Sequence, residues 1–336
     1  MLRYTVRRLL WAFAMLIIVS AVVFVIFYVF PTADAATLRA GRNASPEQID
    51  NLRQSLGLNS SIPEQFARYM TQVFTPFDWF HAGDYNGGTG PLNFGISVFQ
   101  SNTPVKEIIL DRLPATIFLV VGAVILWLAI AIPVGIISAV KRRSILDRVT
   151  MITTLAFISA PVFWLGLVAL YLFAQDVGVF KIFPGIGSYN DANNFLEKAE
   201  SLILPWIVLA LATAAIYARY LRSQMIEVME EDYIRTARAK GLPERTVILR
   251  HGLRSAITPL VTLLGLDIGT LLAGNAILTE SVFNIPGVGK ELVVAITRSD
   301  LVVVQGIVLF GAFFIVIFNL IVDILYAYLD PRVRYQ

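Results

Sequence analysis

Few side chains in this sequence are equipped for catalysis. Cysteine is absent, and histidine occurs twice, at His81 and His251. Thiol chemistry, disulfides and Cys-ligated zinc are therefore excluded, and two histidines so far apart leave little for a metal site. Neither has a nucleophile partner. His251 reads as a surface residue, and Trp79, Phe80 and His81 as local packing. Gly287-Val288-Gly289-Lys290 invites comparison with a phosphate-binding loop. Such a loop needs glycine where Asn284 stands and Ser or Thr where Glu291 stands. No catalytic, metal or cofactor residue is assigned. What remains is two acids inside apolar runs, Asp267 and Asp323. A carboxylate at bilayer depth costs at least about 2.5 kcal/mol and is a functional candidate by default. Gly265 and Gly269 flank Asp267 at GxxxG spacing, extended by Ala273, which reads as a helix-packing seam. Asp267 then either lines a pathway or makes a structural hydrogen bond. Asn275 and Asn319 are weaker polar candidates. Asp323 is near the end of its run, within reach of water or a cytoplasmic arginine.

The elements that must hold these residues are set by composition. Of 336 residues, 57% are hydrophobic and 15% charged, with mean hydropathy +0.69. A soluble domain carries about 25% charged residues, so the solvent for much of this chain is lipid. Six runs are long enough for the roughly 20 apolar residues a helical span needs: Leu9–Phe30, Pro114–Val140, Val149–Ala174, Leu202–Ala218, Pro259–Leu278 and Leu301–Tyr328. The first is preceded by Arg3, Arg7 and Arg8 and followed by Ala33-Asp34-Ala35, as a signal peptide would be. At 22 residues it exceeds the 7–15 or so of a signal-peptide apolar region, and we read it as an uncleaved span.

Lys and Arg set the orientation. The N-terminus, 141–148, 219–258 and the tail hold 17 of them, and the other side holds 10 over more sequence. The richer side should be cytoplasmic, with both termini inside. Basic residues sit between apolar runs rather than on a soluble face, so no nucleic-acid partner is expected. The expected divisions are 1–30, the N-terminal segment and first span; 31–113, an extracytoplasmic helical cap; and 114–336, a core with a cytoplasmic loop 219–258 and an outer segment 281–300. In the cap, Ser45 and Pro46 read as N-cap and N1 of a helix carrying Ile49, Leu52 and Leu56. A second short helix follows from Pro63, and 84–91 is a loop by composition.

The cytoplasmic loop holds most of the information. Glu230-Glu231-Asp232 comes first, then Arg235, Arg238 and Lys240, then Gly241. Acid at the start, base at the end and glycine just past it is the order a helix dipole and a C-cap favour. Pro243 opens a second helix, on which Leu249, Leu253 and Ile257 fall on one face. Gly241 is expected to permit the tight turn without a Cβ clash. The loop is either a solvated connector or a docking surface for a cytoplasmic partner.

EDYIRTARAKGL, followed by LRHGLRSAITP, resembles the cytoplasmic signature loop of ABC-importer permeases, most closely the B-type permease of the dipeptide, oligopeptide and nickel family. Four further stretches agree in order: Phe94-Gly95-Ile96-Ser97 through Arg112-Leu113-Pro114-Ala115-Thr116; Phe283-Asn284-Ile285-Pro286-Gly287-Val288-Gly289; Asp300 with Val303-Val304-Gln305-Gly306; and Leu329-Asp330-Pro331-Arg332. The general signature begins Glu-Ala-Ala; those positions fall on Arg235, Thr236 and Ala237. Its Leu-Pro end falls on Leu253 and Arg254.

The resemblance implies an all-α polytopic membrane protein of the type I ABC importer permease fold, in a prokaryotic plasma (inner) membrane. It implies coupling to an ATPase through Glu231, Asp232, Tyr233, Arg235, Thr236, Ala237, Arg238, Lys240 and Gly241. Phe283, Pro286, Gly287 and Gly289 would belong to short helices folding back at the outer mouth as part of a gate. The implied partners are a C-type sister permease, two ABC ATPase subunits or one fused pair binding ATP and Mg, and an extracytoplasmic substrate-binding protein. Peptides are the expected cargo, with nickel chelates, oligosaccharides and haem as alternatives. A self-sufficient secondary transporter would need paired intramembrane charges and usually an inverted repeat. An intramembrane enzyme would need a catalytic set at membrane depth. Neither pattern is present.

Overall fold

In lipid, a backbone must satisfy its polar groups internally, and a continuous helix does so locally. The computed structural model describes residues 2–29, 36–37, 45–55, 59–74, 94–97, 99–100 and 103–329. Expectations for Ala33–Ala35, Trp79–His81, the 84–91 loop and the tail from Asp330 lie outside these residues. The two ends of the bundle are called inner and outer after the charge asymmetry.

Helix α1 (Leu2–Phe24) runs on through a π turn, Val25–Val29. The cap contributes α2 (Pro46–Ser55), α3 (Ile62–Phe74) and a two-residue antiparallel ladder, β1 (Ile96–Ser97) with β2 (Thr103–Pro104). Then come α4 (Val105–Val140), α5 (Ile145–Ser159), α6 (Val162–Phe173), α7 (Ser188–Asp191) and α8 (Phe195–Met229). The inner loop forms α9 (Asp232–Ala239), α10 (Glu244–Thr246), a π stretch Val247–Gly252, and α11 (Leu253–Ala256). Helix α12 (Thr258–Thr270) ends in a second π stretch, Leu271–Asn275. It is followed by α13 (Ile277–Val282), α14 (Val288–Thr297) and α15 (Leu301–Leu329).

Among the described residues, four helices are unbroken, long and apolar enough to cross a membrane: Thr5–Val29, Val105–Val140, Phe195–Met229 and Leu301–Ile324. Two bent pairs bring the number to six: Ile145–Ser159 with Val162–Phe173, bent by 102°, and Glu244–Ala256 with Thr258–Asn275, bent by 50°. The third expected run is therefore not one rod. Pro161 lacks an amide hydrogen and forces the residue before it out of the helical region, and Ala160 is extended at φ −85°, ψ 126°. The fifth expected run, Pro259–Leu278, breaks at Gly274, where φ is +105°. No break falls between cap and core at 113–114, because α4 runs through both.

The bundle is built on α4 against α8, the most extensive helix contact. Trp127, Leu119, Tyr217 and Leu221 are fully buried along that seam. A Cβ on Gly122 would lie 2.0 Å from the Trp206 indole, whose Nε1 donates to the Phe118 carbonyl at 3.2 Å. Helix α12 and helix α1 both pack against α15. The cap sits on the outer end of α1 through an aromatic cluster, with Phe24 stacked on Tyr28 at 4.9 Å and Phe66 and Tyr69 around them. Ser45 and Gln48 cap α2 reciprocally: the Ser45 amide donates to Gln48 Oε1 at 2.9 Å, and the Gln48 amide to Ser45 Oγ at 3.2 Å.

Candidate functional site

At the inner end, α8 stops at Met229, and α9 begins three residues later. The turn after α9 is a Schellman motif: the Gly241 amide donates to the Arg238 carbonyl (2.9 Å) and the Leu242 amide to the Ala237 carbonyl (3.4 Å). Gly241 has φ +75°, and an added Cβ would meet nothing within 4 Å. The expected reason for glycine was a clash; the observed one is backbone conformation, since a left-handed φ is what costs other residues energy.

Helix α9 has two faces. Ile234 and Ala237 are buried against Val247 and Met229. Glu231, Asp232, Tyr233, Arg235, Thr236, Arg238 and Lys240 are exposed. Ala237 thus faces its own chain, whereas its expected companions face outward. Arg238 grips Glu244 with two bonds, Nη2 to Oε1 at 2.8 Å and Nε to Oε2 at 3.2 Å. That contact holds the Glu244 carboxyl below the usual glutamate value and pushes Arg238 up. Tyr233 donates to Ser255 Oγ at 3.0 Å, joining α9 to α11. The expected stripe Leu249–Leu253–Ile257 is incomplete. Leu253 and Ile257 pack on the main core, but Leu249 is exposed, because the π stretch bonds i to i+5 and shifts the phase of the face.

The sequence reading missed a clamp just above this joint. Asp147 is buried and takes both oxygens to Arg222 of α8, at 2.7 Å (Nε) and 2.8 Å (Nη2). It also accepts from Ser138 Oγ and from the Arg143 amide at 2.9 Å. Arg142 reaches Glu230 at 2.8 Å. The loop between α4 and α5 is thereby tied to the end of α8 that leads into α9. A signal was present: Ser144-x-x-Asp147 is a capping pattern, and Ser144 Oγ indeed accepts from the Asp147 amide.

At the outer end, the short helices α13 and α14 pack against each other. Gly287 is the N-cap of α14 and offers no side-chain oxygen to the helix's unpaired amides. Two distant residues supply oxygens instead. Glu280, fully buried, accepts from the Lys290 amide at 2.9 Å, and Thr116 Oγ1 accepts from the Val288 amide at 2.9 Å. Thr116 then donates to Glu280 Oε1 at 2.7 Å. Burial pushes the Glu280 carboxyl up from the usual value, and the bonds from Thr116 and from the Lys290 and Gly289 amides partly offset this. A Cβ on Gly287 would lie 2.2 Å from that carboxyl, and one on Gly289 would lie 2.7 Å from the Gly274 carbonyl. Phe283 is buried and Pro286 half-buried. The Ser97 hydroxyl bonds the Asp300 carboxylate, and Arg112 reaches Glu291 at 3.2 Å, fixing the ladder and α4 to the same segment.

Between the two joints, Tyr217 of α8 donates to Asp267 Oδ2 at 2.7 Å. A Cβ on Gly265 would meet Val322 at 1.8 Å, and one on Gly269 would meet Phe318 at 2.9 Å, so both glycines form a seam against α15. Asn319 instead lines a groove of about 370 Å³ among α1, α12 and α15, near Asp323, which pairs with Arg8 at 2.9 Å. Asn275 is exposed at the broken end of α12. The structure therefore does not gather Asp267, Asn275 and Asn319 into one site.

The described residues thus form a bundle of up to six apolar spans, with an exposed helix at the inner end and a hydrogen-bonded turn at the outer end. A family model described as "Binding-protein-dependent transport system inner membrane component" matches residues 131–335, and one described as "Binding-prot-dependent transport system membrane comp, N-term" matches residues 1–134. The chain belongs to this family, the inner-membrane permeases of ABC importers, and to its peptide branch. It is 37% identical over 355 residues to the dipeptide transport system permease protein DppB of Alkalihalophilus pseudofirmus (strain ATCC BAA-2126 / JCM 17055 / OF4), with 100% of both chains covered. It is 38% identical over 336 residues to the glutathione transport system permease protein GsiC of Salmonella paratyphi A (strain ATCC 9150 / SARB42), again with 100% of both covered. Against DppB of Escherichia coli (strain K12) the identity is 37% over 356 residues at the same coverage.

Proposed function

We propose that this chain forms half of the translocation pathway of a short-peptide importer, and that the movement of separate ATPase subunits reaches it through α9. The names of its relatives, dipeptide and glutathione permeases, support the cargo class. The observation that carries the coupling role is the two-faced geometry of α9. Its inner face is locked to its own chain by Ile234 and Ala237, and the exposed Arg238–Glu244 pair ties its end to the next segment, while its outer face presents polar and charged groups with Tyr233 and Ala239. A helix so fixed moves as a unit with the end of α8. Closure of an ATPase pair against it would tilt the spans and switch the pathway from inward-facing to outward-facing, a local shift turned into rigid-body motion.

In this reading the inner end is cytoplasmic, with both termini inside. A C-type sister permease supplies the other half of the pathway, and two ATPase subunits or one fused pair bind ATP and Mg. An extracytoplasmic binding protein delivers peptide to the outer cap. Glu280 and Thr116 hold the outer turn as part of the gate. The test is Gly241→Pro, which cannot adopt φ +75° and removes the amide that closes the Schellman turn. Peptide uptake should be abolished while membrane insertion persists; unchanged uptake would remove the coupling role. Uphill uptake by the chain reconstituted alone would overturn the reading as a whole.

A further inference from the structure

A helix that ends inside a bilayer leaves its last four carbonyls without intrahelical partners and has no water to supply them. Helix α6 meets this with the chain that follows it. The Leu170 carbonyl accepts from the Ala174 amide (3.0 Å), Tyr171 from Val179 (3.0 Å), Leu172 from Phe180 (2.8 Å), and Phe173 from both Ile182 and Phe183 (2.9 Å each). Those are the last four carbonyls of α6, and all are satisfied. The fold-back is tight: the Gly178 amide closes on the Ala174 carbonyl at 2.7 Å, and a Cβ on Gly178 would lie 2.3 Å from that oxygen. The carboxylate of Asp176 is turned onto its own backbone, accepting from the amides of Val177 (2.9 Å) and Ile186 (3.1 Å).

Most of what the segment shows outward is apolar, the exposed polar side chains being Gln175, Asp176 and Lys181. Val177, Val179, Phe180 and Ile182 are 57%, 61%, 60% and 56% exposed, and they continue the exposed face of α6, where Leu167 is 53% and Tyr171 65% exposed. Helix length points the same way. The 15 residues of α5 and the 12 of α6 span about 22 Å and about 18 Å at 1.5 Å per residue. Neither covers a hydrocarbon core of about 30 Å, and a 102° bend prevents the two from lying end to end. Backbone paired within itself and side chains that are apolar outward are what lipid demands of a non-helical segment. Lys181, the one cation here, has a stem long enough to carry its charge to the headgroups.

We propose that residues 174–186 are a membrane-embedded cap that completes the third crossing, with Val179 and Phe180 against the acyl chains of the outer leaflet. Their far end is tied to the outer turn, the Gly187 amide donating to the Phe283 carbonyl at 3.0 Å. The inference rests only on the chain spanning a membrane, not on its cargo or its coupling.

The absence of cysteine makes the test direct. Single variants Phe180→Cys, Val177→Cys, Leu167→Cys and Asn193→Cys, in the full chain purified with its native subunits and placed in lipid nanodiscs, are spin-labelled. Their relaxation by oxygen, which concentrates in lipid, is compared with relaxation by a water-soluble nickel chelate. At 180 and 177 the oxygen-to-nickel ratio should match that of 167 and stand well above that of 193, an exposed polar-loop position. A ratio equal to that at 193 would place the segment in water and overturn the proposal. Low accessibility to both reagents would place it against a protein neighbour and overturn it equally.

Discussion

The inner and outer joints solve the same problem with opposite chemistry. Each reverses the chain between two short helices, α9 and α10 inside and α13 and α14 outside, and each is pinned by a carboxylate. At the inner joint Glu244 is exposed, paired with an exposed arginine, and sits beside a glycine with open space around it. At the outer joint Glu280 is buried, is bonded mainly to backbone amides and a threonine, and presses on a glycine with no room for a Cβ. The inner joint presents its charges to a visitor. The outer joint hides its charge and fixes one geometry. The difference extends to pH. Glu244 is shifted down, so its contribution is present above the usual glutamate value and is lost as pH falls through its lower folded value. Glu280 is shifted up, so its contribution is present below the usual value and is lost as pH rises through its higher folded value. Mild acid should therefore tighten the outer turn, whereas the inner latch loosens only in stronger acid, below the usual glutamate value.

The largest effect is expected where the outer joint is most confined. Glu280→Ala strips the partner from the Lys290 amide and from Thr116, leaving buried polar groups that cost about 1–3 kcal/mol each. Amide hydrogen exchange at Val288–Lys290, corrected for intrinsic rates, should accelerate by orders of magnitude. The same amides should be better protected at pH 5 than at pH 8 in the unsubstituted protein and show no such dependence in Glu280→Ala. Protection that ignores both the substitution and pH would erase the contrast between the joints.

Next in size is the buried clamp above the inner joint. Asp147→Ala leaves the half-buried Arg222 without its carboxylate, removing charge-assisted hydrogen bonds worth about 1.5–3 kcal/mol, and should lower the thermal midpoint of the detergent-solubilised protein. Asp147→Ala with Arg222→Leu should recover most of that loss, because replacing both members of a buried pair with apolar groups is often neutral. A double variant as unstable as the single one would show that the clamp acts through something other than its charges.

These two carboxylates also mark the limit of what could be read from the chain. Apolar run length was enough to find the spans, and the acid-base-glycine order was enough to find α9 and its turn, because both are local. The breaks at Ala160 and Gly274 were also local signals, Pro161 in one case and Gly-Asn in the other, but they were hidden inside runs read for length alone. The long-range pairings of Asp147 and Glu280 were invisible for a different reason. Their side-chain partners on other helices, Arg222 and Thr116, are 75 and 164 positions away along the chain, and nothing in composition or spacing joins them. Asp267 was the reverse case, since its burial in an apolar run was plain while its partner, Tyr217 on another helix, was not.

The smallest effect should come from the exposed latch itself. Arg238 and Glu244 remain largely in water, where such a pair is worth about 0.2–1 kcal/mol and is screened by salt. Glu244→Gln should leave thermal stability almost unchanged at neutral pH, and raising ionic strength should shrink the difference further. Its effect on transport should be larger than its effect on stability, because the pair keeps α9 moving with the segment that follows, and a looser α9 would absorb part of an imposed push. The measurement is the ratio of peptide taken up to ATP hydrolysed in the assembled transporter. If that ratio falls in Glu244→Gln while the melting point holds, the inner joint is a lever whose stiffness matters. If both stay the same, α9 is held by Ile234 and Ala237 alone, and the charged face of this joint answers only to its partner.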